Sequence, residues 1–249
     1  MGTQSKIEWT LHTWNPWQGC HKVSEACANC YMYREKKRYG QNPKVVVRSK
    51  STFYAPLNRN RDGNWKWPDG DRIFVCSWSD FFHSDADQWR VEAWEIIKQR
   101  PGLDFMILTK RPERMVSCLP RDWRNGWSNV WLGVTAENQK RADERLPILL
   151  NIPAVIHFVS CEPLLEQLEL ASYVDGSTGK NLDWIVVGSE SGHNRRPSRV
   201  EWFRSIRDQC QQARIPFFLK QMEVKGKLVK MAPLDGTIWE QYPSTSTIR

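Results

Sequence analysis

The chain has 249 residues, and its 36 Lys and Arg against 28 Asp and Glu give a formal net charge of +8. Hydrophobic residues make up 40% and charged residues 26%, which excludes wholesale disorder and fits one large domain or two small ones. No apolar stretch approaches the roughly 18 residues of a membrane-spanning helix. The segment Met1–Trp14 lacks the features of an export signal, so we expect a cytoplasmic protein without a membrane partner. In that reducing compartment the seven cysteines are expected as ligands or buried thiols rather than as disulfides.

A first strand is predicted at about Glu8–Thr13, directly before three clustered cysteines. Cys20, Cys27 and Cys30 form a C-x6-C-x2-C pattern within eleven residues, a spacing that lets thiolates close on one metal centre. Three ligands without an obvious fourth indicate an open coordination site, as in a [4Fe–4S] cluster that offers one iron to a small molecule. Two alternatives stay open at this point: a zinc ion completed by His21, and thiols that bind no metal.

A basic insertion follows at about residues 34–72, where eleven Lys and Arg face four acids and aromatic residues are interspersed. Because basic side chains neutralise phosphates and aromatic rings stack on bases, this composition is compatible with a DNA or RNA surface. The alternative is a solvated insertion whose aromatic residues pack onto the body of the protein. The candidate nucleic-acid contacts are Lys36, Lys37, Arg38, Arg59 and Arg61.

From residue 73 onward, short apolar runs recur with starts 25 to 33 residues apart, a rhythm typical of strands alternating with helices. The runs are Ile73–Trp78, Phe105–Leu108, Val130–Val134, Val155–Val159, Trp184–Val187 and Phe217–Leu219. We therefore predict an α/β protein, a partial (β/α) barrel of about six to seven mostly parallel strands, with a doubly wound open sheet as the alternative. The barrel domain is expected to span residues 1–221, and residues 222–249 to form a C-terminal extension that ends in a polar tail.

Polar residues follow the strands, with Ser or Thr at five strand ends and acids after four of them. Because the carboxyl ends of parallel strands meet on one face, these residues are expected to line a ligand site. The alternative is that they only cap helices and form turns.

Several short sequence words resemble a phage and bacterial three-cysteine-motif family whose function is unassigned. They include Thr13-Trp14-Asn15-Pro16-Trp17, Asn29-Cys30-Tyr31, Ser77-Trp78-Ser79-Asp80-Phe81-Phe82-His83, Leu108-Thr109-Lys110-Arg111-Pro112, Ser160-Cys161-Glu162-Pro163-Leu164, Gly188-Ser189-Glu190-Ser191-Gly192 and Phe218-Leu219-Lys220-Gln221. Through its cysteines and strand count the chain also resembles radical S-adenosylmethionine (SAM) enzymes. The usual motif of that superfamily is C-x3-C-x2-C, so the six-residue first gap is a departure.

The resemblance implies that Cys20, Cys27 and Cys30 hold a [4Fe–4S] cluster whose fourth iron chelates SAM. Reduction by a flavodoxin- or ferredoxin-type partner would then yield a 5′-deoxyadenosyl radical that abstracts hydrogen from a substrate, for which a nucleic acid or modified nucleotide is the candidate. It further implies that Ser77, Ser79 and Asp80 lie near the SAM amino group and Lys110 near its carboxylate. The residues implied near the ribose are Thr135, Glu137, Ser160 and Glu162.

Two other functions stay open from the sequence. One is a zinc- or cluster-stabilised nucleic-acid-binding protein without catalysis, for which the basic insertion would be the main surface. The other is a metal-free β/α hydrolase built from Ser, Glu and His83, although the sequence lacks a typical nucleophile elbow.

Overall fold

Eight strands form one mixed, mostly parallel sheet in a computed structural model that describes Ser5 and residues 7–176 and 179–244. The strands are β1 (His12–Trp14), β4 (Arg72–Val75), β5 (Asp104–Thr109), β6 (Val130–Thr135), β7 (Ile156–Cys161), β8 (Trp184–Gly188), β9 (Phe217–Val224) and β10 (Lys227–Lys230). Within the described residues they lie side by side in the order β1-β4-β5-β6-β7-β8-β9-β10. A separate antiparallel pair joins β2 (Trp17–Gln18) to β3 (Val47–Arg48).

Five α-helices and five short 3-10 helices connect these strands in the described residues. The α-helices are α1 (Tyr31–Arg38), α2 (Asp87–Lys98), α3 (Met115–Cys118), α4 (Gln139–Leu150) and α5 (Val200–Ala213). The 3-10 helices are Glu25–Cys27, Ala55–Leu57, Ser84–Ala86, Pro112–Arg114 and Ala171–Tyr173. None of the described helices is both long and apolar enough to cross a membrane.

The chain divides into two compact units, each described here by itself. Unit 1 comprises Met1–Val23, Met32–Trp131 and Pro153–Val155; unit 2 comprises Ser24–Tyr31, Leu132–Ile152 and Ile156–Arg249. In unit 1, β4 pairs in parallel with both β1 and β5. In unit 2, β7, β8 and β9 pair in parallel, and β10 runs antiparallel to β9.

The central strands form because their residues are apolar without interruption. All six residues of β6 and all five of β8 are buried, as expected for parallel strands covered on both faces. The high tryptophan content is largely a property of the core, since the largest fully buried side chains include Trp9, Trp14, Trp17, Trp131 and Trp184. Burying such rings is a major source of stability in a domain of this size.

The predicted α/β class is confirmed, and each of the six apolar runs lies in or overlaps a strand. The strand count of six to seven is wrong, because the main sheet has eight strands in the described residues. The additional strand, β10, has the sequence Lys-Leu-Val-Lys and lies at the edge of the sheet, where a short, charged segment shows no apolar run. The strand order follows the chain without the reversal that defines a doubly wound sheet, which argues against that alternative.

The start of the predicted C-terminal extension contributes to the sheet, since β9 continues to Val224 and β10 follows. The isolated Phe218–Glu240 bridge and the Trp184 side chain, which donates to the Gln241 carbonyl at 2.8 Å, hold the chain beyond β10 against the same sheet. Residues 245–249 of the predicted polar tail lie outside the described residues. The division between a barrel domain and an extension stays a prediction.

Gly133 of β6 should not tolerate a side chain. A Cβ built there would lie 2.5 Å from two ring carbons of Phe158, which is fully buried on β7. We expect Gly133→Ala to lower the free energy of unfolding by about 1–3 kcal/mol, because the packed ring must move. Chemical denaturation measures this difference.

Gly133→Ala in a Phe158→Leu background is the control, because the smaller side chain removes the ring carbons that the new Cβ would meet. An equal loss of stability from Gly133→Ala in both backgrounds would contradict the packing assigned to Phe158.

Candidate functional site

The backbone at Cys20 is fixed from several sides within unit 1. Gly19 precedes it at φ +99°, and a Cβ on Gly19 would lie 2.2 Å from the Val45 carbonyl oxygen, so glycine is required there. The Ser79 hydroxyl donates to the Gly19 carbonyl at 2.6 Å, and the Tyr33 hydroxyl donates to the Cys20 carbonyl at 2.5 Å. The position of Cys20 is therefore set by the protein backbone and its immediate neighbours.

The sulfur of Cys20 lies beside a buried guanidinium. Nη1 of Arg111 is 3.5 Å from the Cys20 Sγ, and Nη2 of the same side chain donates to the His21 carbonyl at 2.8 Å. Although burial opposes the charge, the nearby Asp80 and Cys20 raise the pKa of Arg111. The arginine therefore stays charged next to the sulfur.

Asp80 holds this arginine in place. Its Oδ2 accepts from Arg111 Nη1 at 3.1 Å and from the Lys110 N–H at 3.1 Å. Its Oδ1 accepts from the Thr109 hydroxyl at 2.7 Å and from the Phe82 N–H at 2.9 Å. Both oxygens of the predicted SAM contact Asp80 are thus already hydrogen-bonded within unit 1.

Ser77 and Ser79 are placed by a turn that begins at Cys76. Cys76 directly follows β4 and has φ +63°, a left-handed conformation that is costly for a residue with a side chain. Ser77 exchanges hydrogen bonds with the Asn15 side chain, and Ser79 bonds to Gly19 as described above. Each hydroxyl already uses its proton in these bonds, so a ligand would meet either oxygen as an acceptor.

A second candidate metal group in unit 1 consists of His21, His83 and Asp85, which each offer one ligand atom within 4.8 Å of the others. Nδ1 of His83 accepts the Asp85 N–H at 3.1 Å, and the buried Nε2 has no hydrogen-bond partner in the described structure. Burial, followed by the charge of Arg111, lowers the pKa of His83, so its ring is neutral with the proton on Nε2. A metal would have to displace the Asp85 hydrogen bond, either directly at Nδ1 or by moving the ring proton there from Nε2.

Cys27 and Cys30 lie on one tight turn in unit 2. The 3-10 helix Glu25–Cys27 is closed by the Cys27 N–H, which donates to the Ser24 carbonyl at 3.0 Å. The Cys30 N–H approaches the Cys27 carbonyl at 3.5 Å, and α1 begins at the next residue, Tyr31. Both thiols are half-buried, and the C-x2-C spacing on a turn of this kind is typical of metal-binding cysteines.

One side of this turn is fixed by a buried carboxylate beyond the end of β6. Oε1 of Glu137 accepts the Ala26 N–H at 3.1 Å. Oε2 accepts from Nη1 of Arg145 at 2.8 Å, and the same nitrogen donates to the Thr135 carbonyl at 2.7 Å. Glu137 is fully buried, so its position depends on these partners.

A second buried carboxylate, Glu190 beyond the end of β8, fixes the other side. Its Oε2 accepts from the Asn29 side chain at 3.0 Å and from Nε of Arg196 at 2.9 Å. Arg196 also donates to the Glu25 carbonyl at 3.0 Å, and a hydrogen bond from Arg141 lowers the pKa of Glu25 to about 2. The cysteine turn is thus tied to two strand ends of its own unit.

Ser160, within the end of β7, and Glu162, just beyond it, lie next to a lysine of β9. Oε2 of Glu162 is 3.3 Å from Nζ of Lys220 and 3.4 Å from the Ser160 hydroxyl. Oε1 is buried without a hydrogen-bond partner in the described structure, and it lies close to Gly188, where a Cβ would be only 2.5 Å away. A buried carboxylate oxygen without a donor is unusual, and it is the kind of group that a bound ligand or water satisfies.

The candidate nucleic-acid residues differ in exposure. Lys37, Arg38, Arg59 and Arg61 are exposed, whereas Lys36 is only 3% exposed and donates to the Gln41 side chain at 3.3 Å. Burial lowers the pKa of Lys36. Lys36 therefore does not present its ammonium group to solvent.

Three of the five aromatic residues of the insertion are packed, whereas Tyr39 and Tyr54 are exposed. Phe53 is fully buried and Trp67 is 8% exposed, while Trp65 is flanked by the guanidiniums of Arg59 at 3.5 Å and Arg100 at 4.2 Å. This packing agrees with the alternative of an insertion folded onto the body. It leaves the exposed lysines and arginines as the part of the segment that a phosphate could reach.

Sequence reasoning gave no site role to Asn29, Arg196 and Lys220, and it placed Arg111 and Glu190 at strand ends without identifying their partners. Lys220 carried a signal, because it is the first charged residue after an apolar run, as are Asp80, Lys110, Glu137 and Glu162. The partners of Glu190 and Arg111 carried none, because they come from segments distant in the chain and depend on the folded backbone.

Replacing Glu190 should lower the free energy of unfolding by an amount that depends on pH. Burial alone would raise the pKa of Glu190, but hydrogen bonds from Arg196 and Asn29 hold it below its usual value. A lowered pKa in the folded state stabilises the protein above the unfolded-state pKa, and this contribution is lost as the pH falls through the lowered value. We expect Glu190→Gln to cost about 1–3 kcal/mol at neutral pH, with the difference from the wild type shrinking in acid.

Urea denaturation over a pH series measures this effect. Glu201→Gln is the control, since Glu201 is exposed on α5 and only approaches Arg204 at 3.9 Å. If Glu190→Gln lowered the free energy of unfolding by the same amount at every pH, Glu190 would not act as an ionised carboxylate in the folded protein.

Comparison with known proteins assigns a family but no activity. No curated protein and no solved structure matches the chain. A family model described as "Protein of unknown function (DUF5131)" matches residues 4–243. This agrees with the expected membership of a family of unassigned function, whereas the resemblance to radical SAM enzymes stays a prediction. Since the match covers most of the 249 residues, the chain belongs to the family described as Protein of unknown function (DUF5131).

Proposed function

We propose that this chain is a radical SAM enzyme that uses a [4Fe–4S] cluster held by Cys20, Cys27 and Cys30. The observation that carries the proposal is that three half-buried free thiols share one short segment. Cys118 is also half-buried but lies far from them in the sequence, and Cys76, Cys161 and Cys210 are buried. Burial raises the pKa of each of those three buried thiols, as expected for inert structural cysteines.

The donor set fits such a cluster better than it fits a closed metal site. Three thiol ligands from one eleven-residue segment can hold three irons and leave the fourth for SAM. A structural zinc ion would need a fourth protein ligand, and the candidate is His21, which directly follows Cys20 in the sequence. In the structure His21 lies near His83 and Asp85, and Nδ1 of His83 already accepts the Asp85 N–H. The strand order without a reversal also supports a partial (β/α) barrel of the radical SAM type.

When bound and reduced, the cluster and SAM would supply a 5′-deoxyadenosyl radical that removes a hydrogen atom from the substrate. The contribution of the protein would be to hold and orient the two cofactors. Glu137 and Glu190 fix the turn that carries Cys27 and Cys30. Arg111 and its partner Asp80 fix the surroundings of Cys20.

The SAM-binding residues are proposed from the strand ends. Glu162 has a buried carboxylate oxygen without a donor, which suits a ribose hydroxyl, and Ser160 and Lys220 lie beside its other oxygen. Lys110 remains the candidate for the SAM carboxylate. Asp80 would have to exchange present hydrogen bonds to meet the SAM amino group, whereas Ser79 could accept from it while still donating to the Gly19 carbonyl. Ser77, beside Asn15, is a candidate for the same contact. Glu137 has both oxygens engaged and is a weaker candidate for the ribose, whereas Thr135 meets Arg145 through its backbone carbonyl and stays a candidate.

The proposed chemistry also defines partners and location. A reductant of the flavodoxin or ferredoxin type would supply one electron in a reducing cytoplasm. The exposed basic residues Lys37, Arg38, Arg59 and Arg61 support a polynucleotide or modified nucleotide as the substrate.

The first test is the metal content of protein purified without oxygen. We expect a brown protein with about four irons and four sulfides per chain. On reduction with dithionite in the presence of SAM, it should release 5′-deoxyadenosine. Cys27→Ala should abolish both the colour and this release.

Cys118→Ala is the matched control, because Cys118 is also half-buried but lies outside the three-cysteine segment. It should keep the iron and the activity. Colourless protein with about one zinc per chain would instead support the metal-stabilised binding protein. An iron-loaded protein that leaves SAM intact would refute the enzyme.

The second test concerns the nucleic-acid surface. The combined Lys37→Ala, Arg38→Ala, Arg59→Ala and Arg61→Ala variant should bind DNA or RNA more weakly. The slope of log affinity against log salt should become flatter by about 0.9 for each duplex phosphate contact that is lost. Fluorescence anisotropy at several salt concentrations measures both quantities.

Lys36→Met is the control within the same segment. Its ammonium is buried in the folded protein, so its loss should leave the salt slope unchanged. If the quadruple variant kept the wild-type salt slope, these four charged residues would not contact nucleic acid and would be ordinary solvated surface.

A further inference from the structure

The side chain of Arg111 is buried and has an unusual set of acceptors. It is 9% exposed, and its guanidinium contacts one carboxylate, one carbonyl and one sulfur. The sulfur belongs to Cys20, and the carbonyl belongs to the next residue, His21. Buried arginines are ordinarily neutralised by carboxylates, so a guanidinium that also faces a thiol needs a physical reason.

The direction of this side chain is imposed by its surroundings. The Arg111 N–H donates to the Thr109 hydroxyl at 2.9 Å, which ties the residue to the end of β5. Pro112 follows and restricts the Arg111 backbone. Asp80 accepts from Nη1 at 3.1 Å, and its other hydrogen bonds prevent it from turning away. These hydrogen bonds within unit 1 therefore hold the guanidinium of Arg111 facing Cys20.

An N–H donor next to a ligating sulfur has a predictable effect on a cluster. It withdraws electron density from the sulfur and stabilises the more negative, reduced state, which raises the reduction potential. The nearby positive charge acts in the same direction. A higher potential would make the single electron from the physiological reductant easier to deliver.

We infer that Arg111 is a positioning residue for Cys20 and sets the reduction potential of the cluster upward. This inference rests on the proposed function, because it requires that Cys20 ligates an iron–sulfur cluster. It assigns a role to Arg111, a residue of the Leu108-Thr109-Lys110-Arg111-Pro112 segment that would otherwise be explained only as a partner of Asp80.

The test is a potentiometric measurement of the cluster, followed by electron paramagnetic resonance, on anaerobically purified protein. Arg111→Gln should lower the midpoint potential by about 59 mV, which corresponds to a tenfold change in the ratio of reduced to oxidised cluster for one electron. Arg111→Lys, which keeps the charge but not the fork, should give a smaller shift. Iron content and circular dichroism are recorded for each variant.

Arg114→Gln is the matched control. Nη2 of Arg114 lies 3.7 Å from the sulfur of Cys118, so this variant removes a second arginine–cysteine contact outside the cluster segment. Its midpoint potential should equal that of the wild type. If Arg111→Gln fails to fold because Asp80 is left unpaired, the Arg111→Gln, Asp80→Asn double variant is compared with Asp80→Asn alone, so that the effect of the lost aspartate charge cancels.

The outcomes separate this inference from the function on which it rests. A cluster that forms in Arg111→Gln with the wild-type potential overturns the inference and leaves the proposed function standing. A folded Arg111→Gln protein that binds no iron supports the positioning role, provided that Arg114→Gln loads normally. Wild-type protein without a cluster overturns both.

Discussion

Two buried carboxylates hold the cysteine turn in its shape. Glu137 takes the Ala26 N–H, Glu190 takes the Asn29 side chain, and each carboxylate is neutralised by an arginine. A buried ion pair that loses one member leaves an uncompensated charge, which costs several kcal/mol, so neither carboxylate can easily leave its place. The placement of Cys27 and Cys30 is consequently a property of the folded strand ends. Two strand ends thus fix the backbone of the turn, as a preorganised ligand set would require.

The strand ends divide into residues that support the cysteines and residues that remain available to a ligand. Asp80 and Glu137 belong to the first group, because their oxygens are occupied by hydrogen bonds from the protein. Glu162 belongs to the second, because one of its oxygens is buried and has no donor in the described residues. Acids at equivalent strand ends thus serve different purposes, and the difference lies in their hydrogen-bond partners.

Much of the fold could be predicted because uninterrupted apolar runs are a local signal of buried parallel strands. The runs that became β5, β6 and β8 are examples, whereas β10 was missed because a short edge strand with two lysines lacks that signal. The cysteine segment was equally visible, since three thiols in eleven residues are rare by chance.

The roles of Glu190 and Arg111 could not be predicted, because their partners, Asn29 and Cys20, lie 161 and 91 residues away in the chain. Likewise, the charge of Lys36 led to its prediction as an exposed nucleic-acid contact. Its burial could not be predicted, because it depends on how α1 packs in the folded chain.

Direct binding of SAM to the cluster distinguishes a radical SAM enzyme from any other use of the three thiols. The most direct measurement is the electron paramagnetic resonance spectrum of the reduced protein, recorded before and after SAM is added. The reduced cluster should give a signal whose shape changes when the amino and carboxylate groups of SAM occupy the fourth iron. A signal that SAM leaves unaltered, or the absence of any iron–sulfur signal from protein kept free of oxygen, would contradict the proposed enzyme.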